Sequence, residues 1–365
     1  MEREGAPGRL WAEIDLEAIR RNVRTLRRRA AGARLMAVVK ADAYGHGALP
    51  VARAALEAGA DSLAVATLAE GAELRGGGVR APVLVFGNLL PGELKEAGRL
   101  RLEVTVHSLA GARLVASLPG LRAHLEVDTG MNRWGVGPEE AGEARRVLGE
   151  RLVGVYTHLS CADSDPEFTR EQLRRFDRVL GAHPFGGVLV HAANSAGTLW
   201  YPQARYDRVR PGVALYGLHP RGDAGDPADE GLRPALTLKS YVAGIRRLRA
   251  GECVSYGATF RAERTMWVAT VPVGYADGYR RALSGRGVAL IRGRRRRLLG
   301  RVTMDACVFE ADGEVEVGDE VVLLGEQGEE RVGAEELGRL GGTINYEVTT
   351  GLNPRRVERR YVSGV

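Results

Sequence analysis

Lys40 stands where the apolar run Leu35-Met36-Ala37-Val38-Val39 gives way to Ala41-Asp42-Ala43-Tyr44-Gly45-His46-Gly47, and it is one of only three lysines in an arginine-rich chain. A guanidinium stays protonated, whereas a lysine amine can lose its proton and attack a carbonyl carbon. An amine kept at the end of a strand therefore suits chemistry that arginine cannot perform. A lysine whose stem covers the strand while its head reaches water has the same local sequence, so the surroundings decide. Further polar groups follow other apolar runs: Asp128-Thr129-Gly130-Met131-Asn132-Arg133 after 123–127, His158 after 152–157, and Asn194-Ser195 after 187–191. Arg210-Pro211-Gly212-Val213 adds a turn in which Gly212, lacking a Cβ, lets a ligand approach the backbone amides, including that of Val213. Together with the Ser195 hydroxyl, those amides suit a phosphate.

The elements that must position these groups can be read from periodicity. Residues 35–216 alternate short apolar runs with amphipathic, alanine- and arginine-rich stretches, as consecutive βα units do. Strands are predicted at 35–39, 62–66, 82–86, 103–107, 123–127, 152–157, 187–191 and 213–216, with helices at 50–58, 67–75, 91–98, 109–117, 138–148 and 166–180. Eight such units predict an α/β fold of the closed (β/α)8, TIM-barrel type, whose chemistry sits at the carboxyl ends of the strands and whose phosphate site follows strands seven and eight. After about residue 231, short strand-like runs divided by glycine turns predict a mostly β domain. The expected domains are a barrel over 12–230 and a β domain over 231–365, joined near 221–227. The segment 8–14, ahead of a helix at 16–29, has the pattern of a strand that could join the β domain instead of the barrel.

With 365 residues, 44% of them hydrophobic and 27% charged, the chain has enough apolar material for two cores, which argues against disorder. Met1-Glu2-Arg3-Glu4-Gly5 has no apolar signal core, and no apolar run reaches the roughly 20 residues of a membrane span. A cytoplasmic protein without a membrane partner is expected. Cys161, Cys253 and Cys307 are odd in number and widely spaced, which favours reduced thiols over disulfides or a zinc site; no metal is expected. The net charge of +6 and the run Arg292-Gly293-Arg294-Arg295-Arg296-Arg297 raise the question of nucleic acid. No aromatic residue is interleaved to stack on bases, and the run lies between two strand-like segments. We read it as a solvated hairpin connection. A small anionic ligand accounts equally well for the basic excess.

An amine at one end of a barrel rim and a phosphate site at the other point to pyridoxal 5'-phosphate, whose aldehyde Lys40 would capture. Here the chain resembles a known family. The segment Ala37-Val38-Val39-Lys40-Ala41-Asp42-Ala43-Tyr44-Gly45-His46-Gly47 is similar to the cofactor-lysine signature of the alanine racemases, which pair a barrel with a β domain. Asp128-Thr129-Gly130-Met131-Asn132-Arg133, Tyr156-Thr157-His158, Val209-Arg210-Pro211-Gly212, Val254-Ser255-Tyr256-Gly257, Gly274-Tyr275-Ala276-Asp277-Gly278 and Gly300-Arg301-Val302-Thr303-Met304-Asp305 follow in the same order, over nearly the whole chain.

The resemblance implies interconversion of L- and D-alanine, supplying D-alanine for peptidoglycan. It implies two bases on opposite faces of the cofactor: Lys40 for the D-enantiomer and Tyr256 for the L-enantiomer. It further implies that His158 links Tyr256 to Arg210, and that Arg210 faces the pyridine nitrogen. Arg133 would hold the cofactor's phenolic oxygen and the substrate carboxylate, Met304 would add a backbone amide, and Tyr275 would bound the substrate pocket. Tyr44, Ser195, Gly212 and Val213 would bind the phosphate. A head-to-tail homodimer is implied, with Tyr256 and Met304 supplied to each barrel by the partner subunit.

The chain departs from the family at two places. Many members carry a carbamylated lysine where this chain has Glu126, which we expect to provide the negative charge beside Arg133 directly. Some place a phosphate-contacting tyrosine where this chain reads Leu352-Asn353-Pro354-Arg355-Arg356, a contact that Pro354 cannot make. Among rival readings, a non-catalytic pyridoxal phosphate carrier would not need the second domain. A decarboxylase on the same plan would carry a substrate-facing cysteine motif that neither Cys253 nor Cys307 provides. A broad-specificity or serine-preferring racemase differs only in pocket size, which sequence does not measure.

Overall fold

The structure, a computed structural model, describes residues 8–362; the N-terminal residues read above for a signal core, and the last three of the expected 231–365 domain, lie outside this range. Among the described residues two compact units emerge, one of residues 19–215 with 230–232, the other of 8–18, 216–229 and 233–362. The first strand, β1 (Leu10–Asp15), belongs to the latter. Eight parallel strands then close a barrel: β2 (Arg34–Val38), β3 (Ser62–Val65), β4 (Val83–Val85), β5 (Glu103–Val106), β6 (Arg122–Glu126), β7 (Leu152–Tyr156), β8 (Leu189–His191) and β9 (Arg208–Val209). The helices between them start on the residues that chemistry favours there. Thr67 forms a capping box with Glu70, Ser108 accepts from the Gly111 amide, and Asp165 caps a helix whose first residue is Pro166.

The barrel interior is unusual. Alternation along the strands sends Val104, Val106, Leu125, Val155 and Val209 to the helix side, where all are buried. The opposite face carries Glu103, Thr105, His124, Glu126, Tyr156, His191, Arg208 and Arg210, also buried, where Val, Ile and Leu ordinarily fill such barrels.

This interior explains a correction. The eighth strand is not 213–216, which forms a 3-10 turn, but Arg208–Val209, which pairs with Arg34 and Leu35 on one side and His191 on the other. An apolar-run criterion passes over it because its inward side chains are guanidinium groups. A second correction concerns the arginine run. Only Arg292 and Gly293 form the turn, both at positive φ as a two-residue hairpin of this kind requires, and Arg294–Leu299 is a full strand paired with Val288–Ile291. Each strand arginine meets a carboxylate: Arg294 and Arg296 pair with Asp312, Arg295 with Glu336, and Arg297 with Glu310.

In the β unit, β1 lies between β10 (Leu236–Tyr241), to which it is antiparallel, and Glu358–Val362, to which it is parallel. Residues 221–227 hydrogen-bond within this unit, through Gly222 O to the Asn345 amide and Asp226 to Arg331. Leu248, Val254, Ala262, Val268 and Leu299 form a small apolar core beneath the 255–258 turn. Asp277 is fully buried and accepts from Arg9, Arg356 and the Gly274 amide, tying the 274–278 turn to both ends of the unit. Those donors hold its carboxyl below the usual range, in spite of burial, which acts to raise it. We expect Asp277→Ala to cost about 2 kcal/mol, because it takes the carboxylate from Arg9 and Arg356 and leaves the buried Gly274 amide without its acceptor. A thermal melt within a degree of the parent protein would contradict this.

Candidate active site

Lys40 opens an irregular turn directly after β2. Ala41, Asp42, Ala43 and Tyr44 all have φ between 51 and 53°, a left-handed helical turn built without glycine. Each such residue costs on the order of 1 kcal/mol, so neighbouring groups must hold the turn. Glu70 accepts from the Ala41 amide at 2.7 Å, the Asp42 carboxylate accepts from the Ala48 amide at 2.8 Å, and the Gly45 amide donates to Ala41 O at 3.0 Å. The result pins the Lys40 backbone at the rim. Burial, then the charge of Arg133, lowers the Lys40 pKa against the opposing pull of Glu70. Both effects disfavour the charged form of the amine.

Tyr44 ends that turn with its hydroxyl against Gly212: a Cβ on Gly212 would lie 2.4 Å from the Tyr44 oxygen. Ser195 Oγ accepts from the Gly212 amide at 2.9 Å and the Ala214 amide at 3.2 Å. Among the described residues the buried Val213 amide between them has no protein acceptor. Two hydroxyls and an amide without a protein acceptor therefore meet around Gly212.

Arg210 is buried beside this cradle. Its guanidinium donates to Thr157 O at 2.9 Å, Ala192 O at 3.1 Å and His191 Nδ1 at 2.8 Å, approaches His158 Nδ1 at 3.4 Å, and lies 4.7 Å from the centre of the Tyr156 ring. Burial pushes its pKa down to about 10, which leaves it a cation near neutrality. His158 falls well below the usual histidine range through burial and the charges of Arg210, Arg133 and Lys40. It is a neutral ring whose Nδ1 accepts from Arg210, so its proton is on Nε2. Arg133 is exposed on the 128–136 loop, which is held by Asp128 Oδ1 accepting from the Gly130 and Met131 amides, each at 2.9 Å.

The expectation for Glu126 is corrected. Its side chain points into the barrel, where Oε2 accepts from the Tyr156 hydroxyl at 3.0 Å and lies 3.0 Å from His107 Nδ1; among the described residues no ion pair joins it to Arg133. The loop carries the arginine outward while the strand turns the glutamate inward.

Tyr256, Tyr275 and Met304 belong to the β unit, and all three are exposed, Tyr256 to 73%. Tyr256 follows Ser255, whose φ is 64° and whose hydroxyl donates to Arg301 O at 2.8 Å. Gly274 allows the 303–305 backbone to pass, since a Cβ there would lie 2.3 Å from the Met304 carbonyl carbon. The Tyr275 amide donates to Thr303 O and the Ala276 amide to Met304 O, both at 3.0 Å. The Met304 amide itself makes no hydrogen bond among the described residues.

Comparison with known proteins places this geometry. The family model described as alanine racemase, N-terminal domain, matches residues 14–220, and that described as alanine racemase, C-terminal domain, matches 235–361. The chain belongs to the alanine racemase family. It is 46% identical to the alanine racemase of Symbiobacterium thermophilum, with 96% of each chain covered, and 41% identical to alanine racemase 1 of Bacillus subtilis, with 94% of this chain and 91% of that one covered. Among solved structures it is similar to alanine racemase from Streptomyces lavendulae, with a TM-score of 0.92, 40% identity and 99% of each chain covered. It is also similar to the Bacillus anthracis racemase with bound L-Ala-P, with a TM-score of 0.89, 36% identity and coverage of 98% of this chain and 96% of that one.

Alanine racemases depend on pyridoxal 5'-phosphate, and the residues here fit that group. A buried amine whose pKa is lowered, a cradle that a Cβ would fill and a buried amide without a protein acceptor among the described residues lie on one barrel rim. His191, His124 and Glu103 are further polar residues of the site's foundation that sequence reading passed over. Their signal was a polar residue at every second position of strands that barrels normally make apolar on both faces. Gly212→Ala should weaken pyridoxal phosphate binding at least about tenfold in an absorbance titration, because the new methyl group displaces Tyr44. Unchanged affinity would show that the cradle lies elsewhere.

Proposed function

We propose that this chain interconverts L- and D-alanine with Lys40 and Tyr256 as opposed bases, Tyr256 being supplied by the partner subunit of a head-to-tail homodimer. The single observation that carries the proposal is the lowered Lys40 amine on the same rim as the Tyr44, Ser195 and Gly212 cradle. When bound, pyridoxal phosphate supplies the aldehyde carbon that joins an amino acid's nitrogen and a ring that withdraws electrons from its Cα.

The chain's own residues do the rest. Tyr44, Ser195 and the Val213 amide hold the phosphate. Arg210 can only donate, and it remains protonated, so toward a pyridine nitrogen it offers a hydrogen bond and never a negative charge. That restrains electron withdrawal and favours immediate return of the proton over side reactions. Arg133 and the free Met304 amide suit the substrate carboxylate, and Tyr275 bounds the side-chain pocket. Lys40 Nζ accepts the α-proton of D-alanine while the Tyr256 hydroxyl donates one to the opposite face; L-alanine uses the same two groups in reverse. A phenol has a pKa of about 10 and is a weak base near neutrality. A His158 Nε2–H donating to its oxygen would stabilise the phenolate that must form. After each turnover the two bases have exchanged protonation states, and the reverse turnover or exchange with solvent restores them.

The exposure of Tyr256, Tyr275 and Met304 supports the dimer, since two aromatic side chains and an apolar one with a free amide nearby suit burial against a second copy. No helix among the described residues is long and apolar enough to cross a membrane, which is compatible with a cytoplasmic enzyme supplying D-alanine for the cell wall. The L-Ala-P bound to the Bacillus anthracis relative supports alanine over bulkier substrates.

Purified protein with added cofactor should racemise L-alanine faster than L-serine; the opposite order would make it a serine racemase. Lys40→Ala should lose the visible absorbance of the lysine-bound cofactor together with activity. The equilibrium constant of a racemisation is unity, so Tyr256→Phe must slow both directions equally, by at least about 100-fold. In heavy water that variant should still exchange the α-proton of D-alanine but not that of L-alanine. Exchange lost for both, or kept for both, would remove Tyr256 from its assigned role.

A further inference from the structure

We propose that Glu103 and His124 are positioning residues for Arg210, acting through His191 as one directional hydrogen-bond chain along the barrel interior. The inference rests on the proposed role of Arg210 beside the cofactor, but the chain itself is a property of the barrel.

Its direction follows from donor chemistry. A guanidinium donates and cannot accept, so His191 Nδ1, 2.8 Å from Arg210 Nη1, must be a lone pair. His191 is neutral, because burial and then the nearby cation Arg210 hold it well below the usual histidine range. Its proton is therefore on Nε2, which donates to His124 Nδ1 at 2.8 Å. Burial also lowers His124 in spite of the opposing effect of Glu103, so this ring is neutral with its proton on Nε2, which donates to Glu103 Oε2 at 3.1 Å. Burial acts to raise Glu103, but the His124 hydrogen bond and the charges of Arg122 and Arg208 outweigh it, and the group stays a carboxylate. Arg122 anchors it, with Nε 3.3 Å from Oε1. Each ring can occupy only one tautomer, and the chain runs unbroken from a cation to an anion.

The packing is shaped for this chain. A Cβ on Gly154 would lie 2.0 Å from His124 Nδ1, so β7 gives up a side chain where the two imidazoles meet. The His191 ring stacks on Tyr156, with centroids 4.8 Å apart and planes 15° apart, and that stacking fixes the plane in which Nδ1 faces Arg210. Hydrogen bonds in such a row polarise one another, so the carboxylate at the far end strengthens the acceptor that Arg210 uses. The consequence is a guanidinium held in one orientation, with one edge committed to His191.

The test uses full-length enzyme with imidazole 15N labels, together with Glu103→Gln, which removes the charge and keeps size and an acceptor, and His124→Leu, which breaks the chain. Nitrogen NMR of the cofactor-free parent should show His191 and His124 protonated at Nε2 only. In His124→Leu the His191 Nε2–H signal should shift. With cofactor loaded, both variants should lose roughly tenfold in kcat while KM for alanine stays nearly constant, because Arg210 does not touch the substrate. A His191 proton on Nδ1 in the parent, or kcat unchanged in His124→Leu, would overturn the chain. Unchanged kcat in Glu103→Gln would overturn the part assigned to Glu103. The tautomers are read without cofactor or substrate, so a parent protein that failed to racemise alanine would refute the function while leaving the chain to be judged separately.

Discussion

A guanidinium in the dry axis of a barrel must find acceptors for its protons or leave the interior, and much of this structure follows from where Arg210 finds them. Two backbone carbonyls, Thr157 O and Ala192 O, come from the ends of β7 and β8, so the strands that build the rim also hold the cation. The remaining acceptors are two imidazoles, which must be neutral to accept, and burial keeps them neutral. A cation without these partners would cost several kcal/mol. His191 and the Tyr156 ring of the polar interior thus surround one functional charge, and that interior differs from the aliphatic layers usual in such barrels.

The second constraint acts on the neighbouring strand, since β2 pairs with β9. The left-handed turn after β2 stores strain in four residues other than glycine, and Glu70 and Asp42 offset it with backbone hydrogen bonds. The turn gives Lys40 a fixed root and brings Tyr44 to Gly212, so one distortion positions both the amine and the Tyr44 hydroxyl. A regular helical turn would need no such support, but it would send the two side chains elsewhere. Strain of this kind persists only where surrounding contacts over-determine the backbone.

Much of the site was legible because it interrupts strong patterns. Lys40, His158 and Ser195 stand where apolar runs end, Gly212 stands where one begins, and the eight-unit alternation predicted the barrel rim on which they meet. What stayed hidden depended on partners remote in sequence. β9 reads as arginine-rich loop until the neighbours of Arg208 and Arg210 are known. The arginines of 294–297 look like a solvated connection because their carboxylates at Asp312, Glu310 and Glu336 lie far along the chain. The family resemblance sets Glu126 beside Arg133, and only the inward pleat of β6 shows its engagement with Tyr156 and His107. The left-handed turn leaves no trace in Ala41-Asp42-Ala43-Tyr44, since no glycine marks it.

The central claim is that Lys40 of one chain and Tyr256 of another act in one site, and subunit complementation addresses it directly. Lys40→Ala and Tyr256→Phe chains, each inactive alone, would be unfolded together in equal amounts and refolded with cofactor. Random pairing makes half of the dimers mixed, and each mixed dimer would contain one site with both bases intact. Recovered racemase activity should therefore approach about a quarter of the parent value. A refolded mixture that contains mixed dimers yet stays as inactive as its components would contradict the account.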